Sequence, residues 1–211
     1  MSPVPAETTT ASARQRSARA ATEVLAPWVW VLLLPLAVAW RATGHHLGET
    51  LLWGLITGIF GSILPMAVIV RGARKGQWDS HHVTDRAGRV IPFAACIGFL
   101  AIGFAILIVG DAPRELIALA AAELISLIVA VAITFGLKFK VSMHAAVAAG
   151  AVAILVQVYD PWFALLLLGV AWVCWSRVEL KDHTTAEVSV GTLVGLFVGG
   201  GAYAALAAAF V

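Results

Sequence analysis

Beyond residue 25 the chain alternates between apolar runs and short polar breaks. Seven runs can be read, at roughly 26–42, 48–70, 91–110, 114–136, 143–158, 161–175 and 188–210. A helix needs about 20 residues to cross a bilayer, so the first, fifth and sixth runs are short. Asp160 followed by Pro161 reads as an N-cap and a proline at the first helical position. That pair splits one long apolar stretch into a helical hairpin. The pattern predicts an all-α, polytopic membrane helix bundle of about seven spans over residues 25–211. Six spans with one re-entrant piece is the alternative. Residues 1–24, rich in Ala, Thr, Ser and Arg without apolar periodicity, read as a disordered N-terminal tail. The run after them lacks a convincing small-residue cleavage site, which favours an uncleaved first span.

Composition agrees with the pattern. Of 211 residues, 61% are hydrophobic and 12% charged, a balance that excludes the ordinary soluble classes. The distribution of charge says more than the net +2. With seven spans, one side of the membrane takes the tail and loops 71–90, 137–142 and 176–187. It holds Arg14, Arg16, Arg19, Arg71, Arg74, Lys75, Arg86, Arg89, Lys138, Lys140, Arg177 and Lys181, against Arg41 and Arg114 opposite. The positive-inside rule makes the first side cytoplasmic and puts the C-terminus outside, in a plasma-membrane protein. Most tryptophans, including Trp28, Trp30, Trp40, Trp78, Trp162 and Trp175, fall near run ends, as an interfacial belt would. Gly54, Gly58 and Gly61, and again Gly191, Gly195 and Gly199, form small-residue stripes. Such stripes suit close helix packing within the chain, with a homo-oligomer face as the second use. Cys96 and Cys174 sit in apolar runs without metal-type spacing.

Three stretches on the tail side carry candidate chemistry. SRVELKDHTTAE, residues 176–187, holds Arg177, a planar phosphate clamp, and His183, a nucleophile or proton carrier near neutral pH. Glu187, four residues on, shares a helical face with the imidazole and can orient it. In KFKVSMHAA, residues 138–146, Ser142 sits at an N-cap position and His144 in the first turn that follows. A helix N-terminus offers unpaired N–H groups, including that of Met143, and a positive dipole end that suits phosphate. Lys138 and Lys140 add charge. DSHHVTDRAGRVIP, residues 79–92, brings His82, Arg86 and Arg89 to the start of the third run.

Taken in order, these stretches resemble the type 2 phosphatidic acid phosphatase superfamily of membrane lipid phosphatases, relatives of acid phosphatases and vanadium haloperoxidases. That family's pattern is KxxxxxxRP, PSGH and SRxxxxxHxxxD. Ser176, Arg177 and His183 match the third motif at its spacing, with Glu187 where the family has aspartate. Ser142 and His144 match the second, with Val141 and Met143 in place of proline and glycine. Arg89 matches the arginine of the first, with Val90 in place of proline and His82 at the lysine position. The resemblance implies metal-free, cofactor-free hydrolysis of a phosphomonoester at one membrane face. His183 would attack phosphorus and form a phosphohistidine, Glu187 would hold its tautomer, and His144 would protonate the leaving oxygen. Arg177, Arg89, Ser142, the Met143 N–H, Lys138 and His82 would bind phosphate.

The expected substrate is a membrane lipid phosphate or diphosphate, either polyprenyl or phosphatidic-acid-like. Two other functions fit the same residues: a lipid phosphotransferase, and a non-catalytic protein that binds or transports anionic lipid. No feature calls for nucleic acid, because the basic residues fit topology and phosphate clamping.

Overall fold

In a computed structural model that describes residues 12–78 and 87–209, every regular element among the described residues is helical. We number eight helices: α1 Ala13–Val24, α2 Pro27–Ala42, α3 Leu47–Arg74, α4 Val90–Val109, α5 Arg114–Gly136, α6 Met143–Val158, α7 Pro161–Glu179 and α8 Thr185–Ala209. Each predicted apolar run has become one of α2 to α8. Five of these, α3, α4, α5, α7 and α8, are long and apolar enough to cross a membrane. The α1–α2 pair, bent by 44°, passes the same test as a unit, and α6 is apolar but short. The Asp160 carboxylate caps α7 by accepting from the Trp162 N–H at 2.9 Å, and Pro161 opens its first turn. The hairpin between α6 and α7 thus follows from two residues.

Small residues decide which helices touch. The α6 sequence MHAAVAAGAVAILVQV buries ten residues, among them Ala145, Ala146, Ala148, Ala149, Gly150 and Ala151. It lies in the middle of the bundle, in contact with α2, α7 and α8. The glycine stripe of α8 faces it. A Cβ at Gly191 would come 2.5 Å from the Ser142 carbonyl oxygen, and one at Gly195 would collide with the Ala146 carbonyl. On the other side, Gly54 and Gly58 of α3 lie against Leu36 and Leu32 of α2. Both stripes therefore serve packing within the chain. Inside a bilayer this close approach gives van der Waals contact that lipid tails cannot match. One core cluster then joins Leu34 and Val38 of α2, Leu116 and Leu119 of α5, Ile154 and Leu155 of α6, and Tyr203 of α8.

Residues 13–24 do not form the expected tail. Ser12 and Gln15 close a capping box at 3.2 and 3.3 Å, which satisfies two orphan donors of the first turn. Ala18, Ala21 and Thr22 are buried, and α1 packs on α7. Arg14 pairs with Glu179 at 2.6 Å, and the Trp172 indole donates to Ser17 at 3.3 Å. The contact face of α1 is built from alanine and threonine, so it leaves no apolar periodicity to read. Residues 1–11 lie outside the described residues. The tryptophan belt also needs revision. Trp28, Trp40 and Trp162 are exposed, but Trp78 is buried against Gly72 and donates to the Ile69 carbonyl at 3.0 Å. Trp30 lines an internal cavity.

Candidate active site at the polar end

The end of α7 sets the geometry. After Glu179 the chain leaves the helix with Lys181 in the left-handed region, at φ 60°. The Lys181 N–H then bonds the Val178 carbonyl at 3.0 Å, and the Asp182 N–H bonds the Arg177 carbonyl at 3.0 Å. These are the two bonds of a Schellman turn. The turn folds residues 182 and 183 back over Arg177. The Asp182 carboxylate meets the Arg177 guanidinium at 3.0 Å, and the His183 N–H also bonds the Arg177 carbonyl, at 3.1 Å. Arg177 is only 1% exposed. A buried guanidinium is costly unless paired. Asp182 supplies the pair, and Thr22 of α1 adds a contact at 3.5 Å. The Thr22 hydroxyl also bonds that of Ser176, at 2.9 Å.

Glu187 has two tasks at the start of α8. With Thr184 it closes a capping box: the Thr184 N–H donates to Glu187 Oε2 at 3.0 Å, and the Glu187 N–H donates to Thr184 Oγ1 at 3.2 Å. The same Oε2 lies 2.9 Å from His183 Nδ1. An ionised carboxylate can only accept, so Nδ1 carries the proton and Nε2 keeps its lone pair. The His183 pKa is lowered to about 3. Burial is the main cause, followed by the positive charges of Arg89, Lys140 and Arg177; a hydrogen bond with the Lys140 backbone acts in the opposite direction. The ring is therefore neutral near pH 7.

Other elements bring the remaining groups to the same place. Arg89, in the turn Ala87–Arg89 that leads into α4, is buried and donates from Nη1 to the Val141 carbonyl at 2.8 Å. The Ser142 N–H donates to the Glu187 carbonyl at 3.3 Å, which joins the start of α6 to the start of α8. Ser142 occupies the N-cap position of α6 without a side-chain cap bond. Its buried hydroxyl has no hydrogen-bond partner among the described residues. His144 is buried in the first turn of α6, and with Arg89 and Met143 it lines a cavity of about 230 Å³. Lys140 donates to the Asp182 carbonyl at 2.6 Å.

Seven of the residues singled out in the sequence, His183, His144, Glu187, Arg177, Arg89, Ser142 and Met143, are thus gathered at one end of the bundle. Lys138 is exposed and left-handed at φ 55°. Lys140 is the lysine that acts on His183. His82 lies outside the described residues. Sequence reasoning passed over Asp182, which was legible as a carboxylate between Arg177 and His183. It also passed over Thr22, which gives no sequence signal. Among the described residues, three cations stand around His183, Arg89, Lys140 and Arg177, against two carboxylates, Asp182 and Glu187. An excess of positive charge beside bare N–H groups at a helix start can receive an oxyanion. Among the described residues, no three His, Cys, Asp or Glu side chains converge to hold a metal ion. No family model, curated protein or solved structure matches the chain.

Proposed function

We propose that this protein is an integral membrane phosphatase that hydrolyses a lipid-borne phosphate or diphosphate through a phosphohistidine at His183. The observation that carries this reading is the oriented, neutral imidazole of His183, held by Glu187 at 2.9 Å among Arg89, Lys140 and Arg177. A neutral Nε2 is the form that attacks phosphorus. Phosphate charge spreads over its oxygens in the transition state, and guanidinium groups complement that charge. His144 gives a proton to the leaving oxygen, and water then resolves the phosphohistidine. Binding an anion offsets the three cations that hold the His183 pKa down, so the ring becomes a better base once substrate is bound. The mostly apolar cavity that Arg89 and His144 help to line favours a lipid over a soluble phosphate ester.

In this reading α2 to α8 are seven spans and the polar end faces the cytoplasm, with eight of the twelve tail-side cations left, against Arg41 and Arg114 opposite, even if Arg89, Lys138, Lys140 and Arg177 are assigned to substrate. A reporter fused after Val211 should then sit outside. The decisive experiment is phosphate release from polyprenyl and glycerolipid phosphates, in detergent with chelator, by purified wild type and His183→Ala. Release that survives chelator and disappears in the variant supports the reading. No release from any lipid, with both proteins folded, sinks hydrolysis. Release only when an alcohol acceptor is added would point to a transferase instead.

A further inference from the structure

The cavity lined by Arg89 and His144 is also lined by Trp30, Gly61, Ser62, Glu123, Ser126 and Gly199. Glu123 lies thirteen residues before the α5 end at Gly136, about 20 Å along the helix from the polar end. Its Oε2 is out of contact with solvent and has no hydrogen-bond partner among the described residues; the same is true of the Trp30 indole N–H. An ionisable side chain at that depth is expensive and marks a functional site. The chain around it is also irregular. The π-helical turns Ile59–Ile63 of α3 and Val194–Gly200 of α8 contribute Gly61, Ser62 and Gly199 to the wall, and such turns recur at functional sites. Glycine at 61 keeps the wall open beside the carboxyl. A Cβ there would press on Val31 Cγ1 at 2.9 Å and reach 3.8 Å from Glu123 Oε2.

We propose that the deep end of this cavity is a second binding site, in which Glu123 and Trp30 hold the hydroxyl group of a long-chain alcohol or other hydroxyl-bearing lipid chain. The unmet groups are a carboxyl oxygen and an indole N–H on a mostly apolar cavity wall. A hydroxyl complements both, because it donates to the first and accepts from the second. It carries no charge, so entering the enclosure costs far less than it would for an ion. Apolar walls and a few convergent polar groups are the ordinary makeup of a small-molecule site. The site requires no hydrolysis at the polar end, and its test reads binding alone.

Full-length protein in detergent would be titrated with 1-decanol, decane and decylamine, and affinity read from the shift in the thermal unfolding midpoint. Wild type should bind decanol in preference to decane. Glu123→Leu and Trp30→Phe should each weaken decanol binding about tenfold, the size of one lost buried hydrogen bond, and leave decane unchanged. Glu123→Gln, which keeps the shape and a hydrogen-bonding group, should retain the preference. This variant and Trp30→Phe decide the matter if Glu123→Leu does not fold. Equal binding of decanol and decane by wild type would overturn the site, as would decanol affinity unchanged in the variants. A decylamine preference lost in the Glu123 variants would replace the hydroxyl by an amine and overturn the assignment.

Discussion

The polar end and the deep end of the cavity both bury ionisable or polar groups, but they treat them differently. At the polar end His183 has Glu187, Arg177 has Asp182, and Arg89 has the Val141 carbonyl. At the deep end Glu123 Oε2 and the Trp30 N–H have no partner among the described residues. The first region is pre-organised: Glu187, His183 and Arg177 are held by one capping box and a Schellman turn before any ligand arrives. The second is a place where a ligand completes the hydrogen bonding. The Ser142 hydroxyl at the polar end is also without a partner among the described residues, so both regions leave a group for a ligand to meet, and the polar end differs in setting fixed ion pairs around it.

The largest expected effect is at the proposed nucleophile. His183→Ala should lower lipid-phosphate hydrolysis by about 10⁴-fold or more and leave decanol binding at Glu123 intact, which would separate the two regions. Residual turnover near wild type would remove His183 from the chemistry. Next is Glu187→Gln, which keeps the capping geometry but loses the charge that fixes the Nδ1–H tautomer; kcat should fall roughly 10²–10⁴-fold. A change confined to KM would make Glu187 a structural cap only.

Smaller effects concern stability. Asp182→Asn weakens the partner of a buried guanidinium and should cost about 2–4 kcal/mol in reversible unfolding, discounted because Asp182 itself is partly exposed. His183 gives a pH signature with a definite sign. Its folded pKa, about 3, is below the ordinary 6.5, so the unfolded state binds more protons between those values. Stability should therefore be complete above about pH 6.5 and fall as the pH drops toward 3. His183→Gln should flatten that fall in a thermal-melt series; an unchanged slope would assign it to other groups. The smallest effect is a gain. Lys181→Gly relieves a left-handed residue in the Schellman turn and should stabilise by about 0.5–1 kcal/mol, with activity unaltered.

The sequence by itself determined the helices and brought out most of the residues that the fold gathers at the polar end. Seven apolar runs became α2 to α8 because hydropathy and Asp160–Pro161 act locally. The Arg177, His183 and Glu187 spacing survived because a turn and the first turn of α8 are local structures as well. Only the tertiary structure decided the rest. It turned residues 13–24 into a packed helix, since a face of Ala18, Ala21 and Thr22 has value only against α7. It put Lys140 beside His183, where its charge acts on the imidazole. It also aimed Glu123 into a cavity whose walls come from helices far apart in the chain. Local spacing fixes what neighbours along the chain can do together, whereas burial, pairing and empty space are made by helices meeting, and no single helix carries them.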